Sequence, residues 1–208
     1  MKHEWRKKEK EYYGPKNEPT EVTVPNFKFI SISGEGNPNS ELFSEHLAAL
    51  YAMAYGIRMS PKKGILTEGY FDYTVYPLEG VWDINEEAKK NYTGKLNKDD
   101  FVYDLMIRQP DFVTDELFEK ILKQTFAKKK IDHLQKIKLV ELKEGDCIQM
   151  LHVGSYDDEP ESFQKMEAYA AKQGWTRTSK IHREIYLSDA RKVAPEKLKT
   201  VLRFNVHR

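Results

Sequence analysis

Two stretches of this chain, about residues 26–110 and 146–208, carry the same order of patterns, and that repetition restricts its fold more than any other feature. In the first, Phe27 to Ser33 alternates like a strand and is broken by the Gly34-to-Ser40 turn. A helix follows from about Asn39 to Met59, with Phe43, Leu47, Leu50, Ala54 and Ile57 at helical spacing. Tyr70 to Tyr76 is a β-branched and aromatic run closed by Pro77, and Phe101 to Gln109 is a strand stopped by Pro110. The second stretch reads likewise: a strand from Asp146 to Val153, a helix from Pro160 to Gln173 ended by Gly174, then strands at His182–Leu187 and Thr200–His207. Between them lies a helical linker (about 113–135), where Thr114 caps a helix running to about Lys129. The expected class is α+β: duplicated strand-helix-strand-strand modules packed to leave a ligand cleft between them, with Tyr76 the counterpart of Tyr186. Residues 1–25, charged and interrupted by Pro15, Pro19 and Pro25, read as a lead-in along the surface.

Charge excludes several partner classes. The chain has 208 residues, and its 34 basic and 33 acidic side chains leave a net charge of +1, so no global field draws it to nucleic acid or to an anionic membrane. Met1 to Tyr13 has no apolar core and is not a secretory signal, and the longest apolar run, Leu47 to Ile57, is about half a membrane span. The single cysteine, Cys147, forms no intrachain disulfide and reads as a buried thiol. These features predict a cytoplasmic protein with neither nucleic acid nor membrane as partner, one that recognises its partner by local chemistry.

Chemistry is concentrated in the strand beginning at His182. Period-two alternation puts Ile185 and Leu187 on one face and His182, Glu184 and Tyr186 on the other. If the apolar face packs on the helix, Glu184 points into the cleft. The plain alternative is a solvated glutamate on a half-exposed sheet. His182 is placed to act with Glu184 as base and orienter, although a surface histidine is the simpler reading. Aromatic residues make up 12% of the chain and include twelve tyrosines, rings suited to stacking on flat ligands. Trp82, Tyr51, Tyr55, Tyr76 and Tyr186 are the ligand-binding candidates, whereas Phe27, Phe29, Phe43 and Phe163 read as core. The six histidines show no His-x-x-x-His spacing, so neither a metal site nor a cofactor is expected. Gly34-Glu-Gly36 lacks the rest of a dinucleotide fingerprint and reads as a turn. Haem would need an axial histidine, for which His46 and His152 are the only candidates.

The segment His182 to Arg203, HREIYLSDARKVAPEKLKTVLR, together with the duplicated pattern, resembles the GyrI-like small-molecule-binding family over about residues 22–208. That resemblance implies that Glu184 lies at the bottom of the ligand pocket. Many members carry a DNA-binding helix-turn-helix, for which the 25-residue lead-in is too short. Tyr76-Pro-Leu-Glu-Gly-Val-Trp82 and Tyr103-Asp-Leu-Met-Ile-Arg-Gln-Pro-Asp-Phe112 resemble a stand-alone branch. Some of its members hydrolyse the strained cyclopropane of DNA-alkylating natural products within an aromatic cage. The resemblance therefore implies a cyclopropanoid hydrolase with Glu184 as the catalytic residue; the alternative is binding and sequestration without turnover.

Overall fold

The computed structural model describes residues 2–208. In chain order the elements are α1 (Trp5–Lys8), α2 (Lys10–Tyr13), β1 (Thr20–Glu35), α3 (Glu41–Arg58), β2 (Leu78–Ile84), α4 (Glu86–Lys90), β3 (Phe101–Gln109), α5 (Asp115–Lys129), β4 (Lys138–Val153), α6 (Glu159–Lys172), β5 (Thr176–Arg177), β6 (His182–Tyr186) and β7 (Lys199–His207). The class is α+β, and the principal elements run strand, helix, strand, strand twice, as β1-α3-β2-β3 and β4-α6-β6-β7. Among the described residues no helix is long and apolar enough to cross a membrane. The chain divides into two compact units, the first built chiefly from 27–76 and 82–142, the second from 4–26, 77–81 and 143–208.

In the first unit β1 and β3 are antiparallel, with Ile30 opposite Ile107 and Ile32 opposite Leu105, all fully enclosed. α3 begins where Ser40 Oγ accepts a hydrogen bond from Phe43 N, and α5 where Thr114 Oγ1 accepts one from Leu117 N. The inward face of α3 is Phe43, His46, Leu50, Met53 and Ile57, spaced three or four residues apart. Each such aliphatic side chain contributes roughly 1.5–3 kcal/mol on burial. Gly56 lets α5 approach: a Cβ there would lie 2.9 Å from Ile121 and Thr125.

One predicted strand is absent. Residues 70–76 make only an isolated bridge, Tyr73 with His3, and the strand forms after Pro77 instead. The backbone of 70–76 is satisfied elsewhere: Arg58 Nε donates to Tyr73 O, His3 N donates to Asp72 O, and Thr74 N donates to His3 O. β-Propensity marked the segment as extended, but a strand also needs a partner edge.

In the second unit β7 is flanked by β4 and β6, with Met150 and Ile148 opposite Leu202 and Phe204. Met166 and Ala170 of α6 close over Ile148, Met150, Leu202 and Phe204 to form this unit's core. The lead-in is not the expected surface extension. Trp5 and Tyr13 are buried, 5.2 Å apart by ring centroids, and β1 already starts at Thr20.

Candidate functional site

Glu184 reaches its position through strand register. It stands opposite Leu202 in the β6–β7 ladder, while Arg183 stands opposite Arg203. Directly opposed residues of an antiparallel pair project to the same face. Leu202 lies in the cluster that α6 covers, so Glu184 is on the helix side of the sheet. The sequence had led to the opposite side. Alternation sorts residues onto two faces but does not say which face a helix covers.

His182, Glu184 and Tyr186 do share that face, as expected. His182 Nε2 lies 3.0 Å from Glu184 Oε1, and the Tyr186 hydroxyl donates to Glu184 Oε2 at 2.8 Å. The His182 ring is braced edge-on by Phe163 of α6 at 4.7 Å, and its Nδ1 lies 3.3 Å from Lys180 O. Glu184 is 9% exposed.

The first turn of α6 adds a second carboxyl group. Glu159 is 6% exposed, and one of its carboxyl oxygens, a His182 ring nitrogen and a Glu184 carboxyl oxygen all lie within 4.8 Å of one another. Burial drives the Glu159 carboxyl well above the usual carboxylate range, and Glu184 drives it further by its charge and by hydrogen bonding. A helix N-terminus favours the ionised form, so these two effects outweigh the dipole. Glu159 Oε1 has no hydrogen-bond partner among the described residues. Tyr156, just before α6, meets Tyr186 edge-on at 6.0 Å. Burial, then Glu184 and Glu159, push its hydroxyl up to about 12, so it stays a neutral donor.

Across the strand from this cluster, Arg183 and Arg203 would repel each other as opposed like charges. Glu144 bridges them, its Oε1 accepting from Arg183 Nε at 2.8 Å and its Oε2 from Arg203 Nη1 at 2.9 Å. Burial alone would raise the Glu144 carboxyl, but the two guanidinium groups prevail and hold it below its usual range. Glu79 accepts from Arg183 Nη1, and Gln149 accepts from Arg203. Gln149 and Arg203 then donate to the carbonyls of Glu11 and Tyr12, which pins the lead-in. β6 is thereby anchored from the face that does not carry Glu184.

Of the other predicted ligand contacts, Trp82, Tyr76, Tyr51 and Tyr55 belong to the first unit. Trp82 is buried in an aromatic cluster, stacked on Phe43 at 5.9 Å and angled against Phe101 and Tyr103 at 5.5 and 5.4 Å. Tyr76 is buried beside Tyr73, with the Arg108 guanidinium 4.7 Å from its ring. Tyr51 and Tyr55 face each other at 6.5 Å along α3, and Tyr55 is 55% exposed. His152, a haem-ligand candidate, has both ring nitrogens engaged, with Ser162 Oγ and Ser155 O at 2.9 Å. His46 is enclosed against Tyr103 and His133. Sequence reasoning missed Glu159 and Tyr156. The only signal was an acidic run before Pro160, which reads equally well as a helix-start turn.

The chain matches the family described as GyrI-like small molecule binding domain over residues 17–207. No curated protein matches it in sequence. Among solved structures, a hydrolase from Listeria innocua is 36% identical, with 100% of each chain covered and a TM-score of 0.90. An uncharacterised conserved protein from Listeria innocua is 37% identical over 99% of this chain and 100% of that one, with a TM-score of 0.87. The EcmrR C-terminal domain, 11% identical, covers 92% of this chain and 98% of that one at a TM-score of 0.54, and is similar in fold alone.

Proposed function

Because this chain belongs to the GyrI-like small-molecule-binding family, we infer that it binds bulky, flat apolar or cationic compounds beside Glu184 and hydrolyses those bearing an electrophilic cyclopropane. Such a reaction would protect the cell by removing compounds that otherwise alkylate DNA. The observation that carries the reading is the pair of buried carboxyl groups, Glu184 and Glu159. One accepts hydrogen bonds like a carboxylate; the other is held towards its neutral form. Two 35–37% identical relatives described as hydrolases or of unassigned activity are compatible with it.

In the proposed reaction a water oxygen bonds to the cyclopropane methylene and the strained carbon–carbon bond breaks. The electron pair passes through the conjugated dienone to its carbonyl oxygen, which becomes a phenol oxygen on protonation. Glu184 takes the proton from the water, with His182 and Tyr186 fixing its orientation. Glu159 and Tyr156 supply neutral donors for the oxygen that gains charge. Tyr186 and Tyr156 offer stacking faces beside the carboxyls, and Trp82, Tyr51, Tyr55 and Tyr76 keep the stacking role proposed for them from the aromatic content of the sequence.

Incubation with a cyclopropane-bearing alkylator, at protein far below substrate, tests the reading by mass analysis of product. Many ring-opened molecules per protein are expected for wild type and none above background for Glu184→Ala. Binding without product from wild type would leave sequestration as the function. A single equivalent followed by arrest would mean covalent capture.

A further inference from the structure

The Glu159–His182–Glu184 cluster has a property that the hydrolytic reading does not use. Two carboxyl groups and an imidazole converge, with donor atoms within 4.8 Å of one another. Ideal tetrahedral ligands about 2.0–2.1 Å from a metal lie roughly 3.3 Å apart, so closure needs each side chain to move by less than about an ångström. The His182 Nε2 to Glu184 Oε1 edge, 3.0 Å, is already near that spacing.

Three further observations fit a cation. Among the described residues none hydrogen-bonds to the buried Glu159 Oε1, in the carboxyl group that meets the other two. A buried oxygen left so is costly unless a hydrogen-bond donor or a cation reaches it. The far nitrogen of His182, Nδ1, faces the Lys180 carbonyl at 3.3 Å, the outer contact that orients metal-binding imidazoles with Nε2 towards the ion. Tyr186 likewise holds the second oxygen of Glu184, as ligating carboxylates are commonly held.

We propose that Glu159, His182 and Glu184 form a binding site for a borderline divalent transition ion of the zinc and cobalt class. Two carboxylates neutralise the ion, and one imidazole with two oxygens favours such ions over calcium or magnesium, which take oxygen donors. The remaining coordination is left to water or to an oxygen of a bound ligand. A bound ion would occupy the lone pairs assigned above to proton transfer, so the metal-loaded protein is expected to be inactive. That consequence rests on the hydrolytic reading; the binding itself does not.

The test titrates untagged, chelator-treated protein with cobalt chloride, followed by visible absorption and calorimetry, and then displaces the cobalt with zinc chloride. One saturable site is expected, with affinity falling at least tenfold in Glu159→Gln and in His182→Ala. Tyr186→Phe, which removes a hydrogen bond to Glu184 and no ligating side chain, should weaken binding less. Circular dichroism and thermal midpoints confirm that each variant is folded, and Glu184→Gln stands in for any that is not. Absence of saturable binding below millimolar cobalt overturns the proposal, as does binding that persists unchanged in all the variants. Neither outcome touches the hydrolysis assay, which needs no added ion.

Discussion

Tyr186 donates its hydroxyl to Glu184 Oε2 at 2.8 Å from two positions further along the same strand, so the strand's own pleat orients the proposed base. Tyr186→Phe keeps the ring against Tyr156 and removes that bond. A hydrogen bond to a charged group contributes about 1.5–3 kcal/mol, so turnover should fall roughly 10- to 100-fold and the thermal midpoint should drop by roughly 3–12 °C, leaving the variant folded at the assay temperature. An unaltered rate in product-formation assays would show that Tyr186 does not orient Glu184.

Glu159→Gln is expected to change stability in a pH-dependent way. The folded-state carboxyl titrates above its unfolded value because it is buried and beside Glu184. Its contribution is therefore present below the ordinary carboxylate pKa and is lost as pH rises through the folded value. Gln keeps the neutral shape at every pH. The variant should match wild type at about pH 4 and exceed it near pH 8. Urea unfolding across that range checks this, and parallel curves would contradict it.

Glu144→Ala removes the group that bridges Arg183 and Arg203, both almost fully buried. Breaking a buried pair by deleting one partner costs about 3–5 kcal/mol, since the charge left behind is uncompensated. The denaturant midpoint should fall accordingly. Asp189→Asn, at a surface site where hydrogen bonds from Arg191 hold the carboxyl down to about 2, should leave the midpoint almost unmoved.

Gly34→Ala tests the packing beneath Trp82. An added Cβ would lie 2.6 Å from the Tyr103 ring, which packs against both Trp82 and Phe43. Overpacking of this kind costs about 1–3 kcal/mol. We expect a lower midpoint together with altered tryptophan fluorescence; a spectrum and midpoint like wild type would mean that β1 yields easily.

Tyr55→Ala separates ligand contact from folding. The ring is 55% exposed, so its removal should change stability by no more than about 0.5 kcal/mol. Weaker binding of planar ligands, read by fluorescence titration, would then report stacking directly. Equal affinity would remove Tyr55 from the binding surface.

The sequence by itself determined the local elements and one face of the site. Ser40 and Thr114 marked helix starts because a side-chain oxygen there satisfies an otherwise orphaned amide, whatever surrounds it. Period-two alternation put His182, Glu184 and Tyr186 on one side of a strand, and the family resemblance singled out Glu184. Tertiary structure decided everything that depends on what lies opposite. It set Glu184 across from Leu202 and hence under α6, and it brought in Glu159 from the first turn of that helix. It gave Arg183 the partners Glu79 and Glu144, remote in the chain, and buried Trp5 and Tyr13 of a lead-in whose charge suggested exposure. It also left residues 70–76 without a sheet partner. Propensity and period are properties of a few consecutive residues, whereas register, burial and a displaced protonation equilibrium arise between segments that only the folded chain brings together.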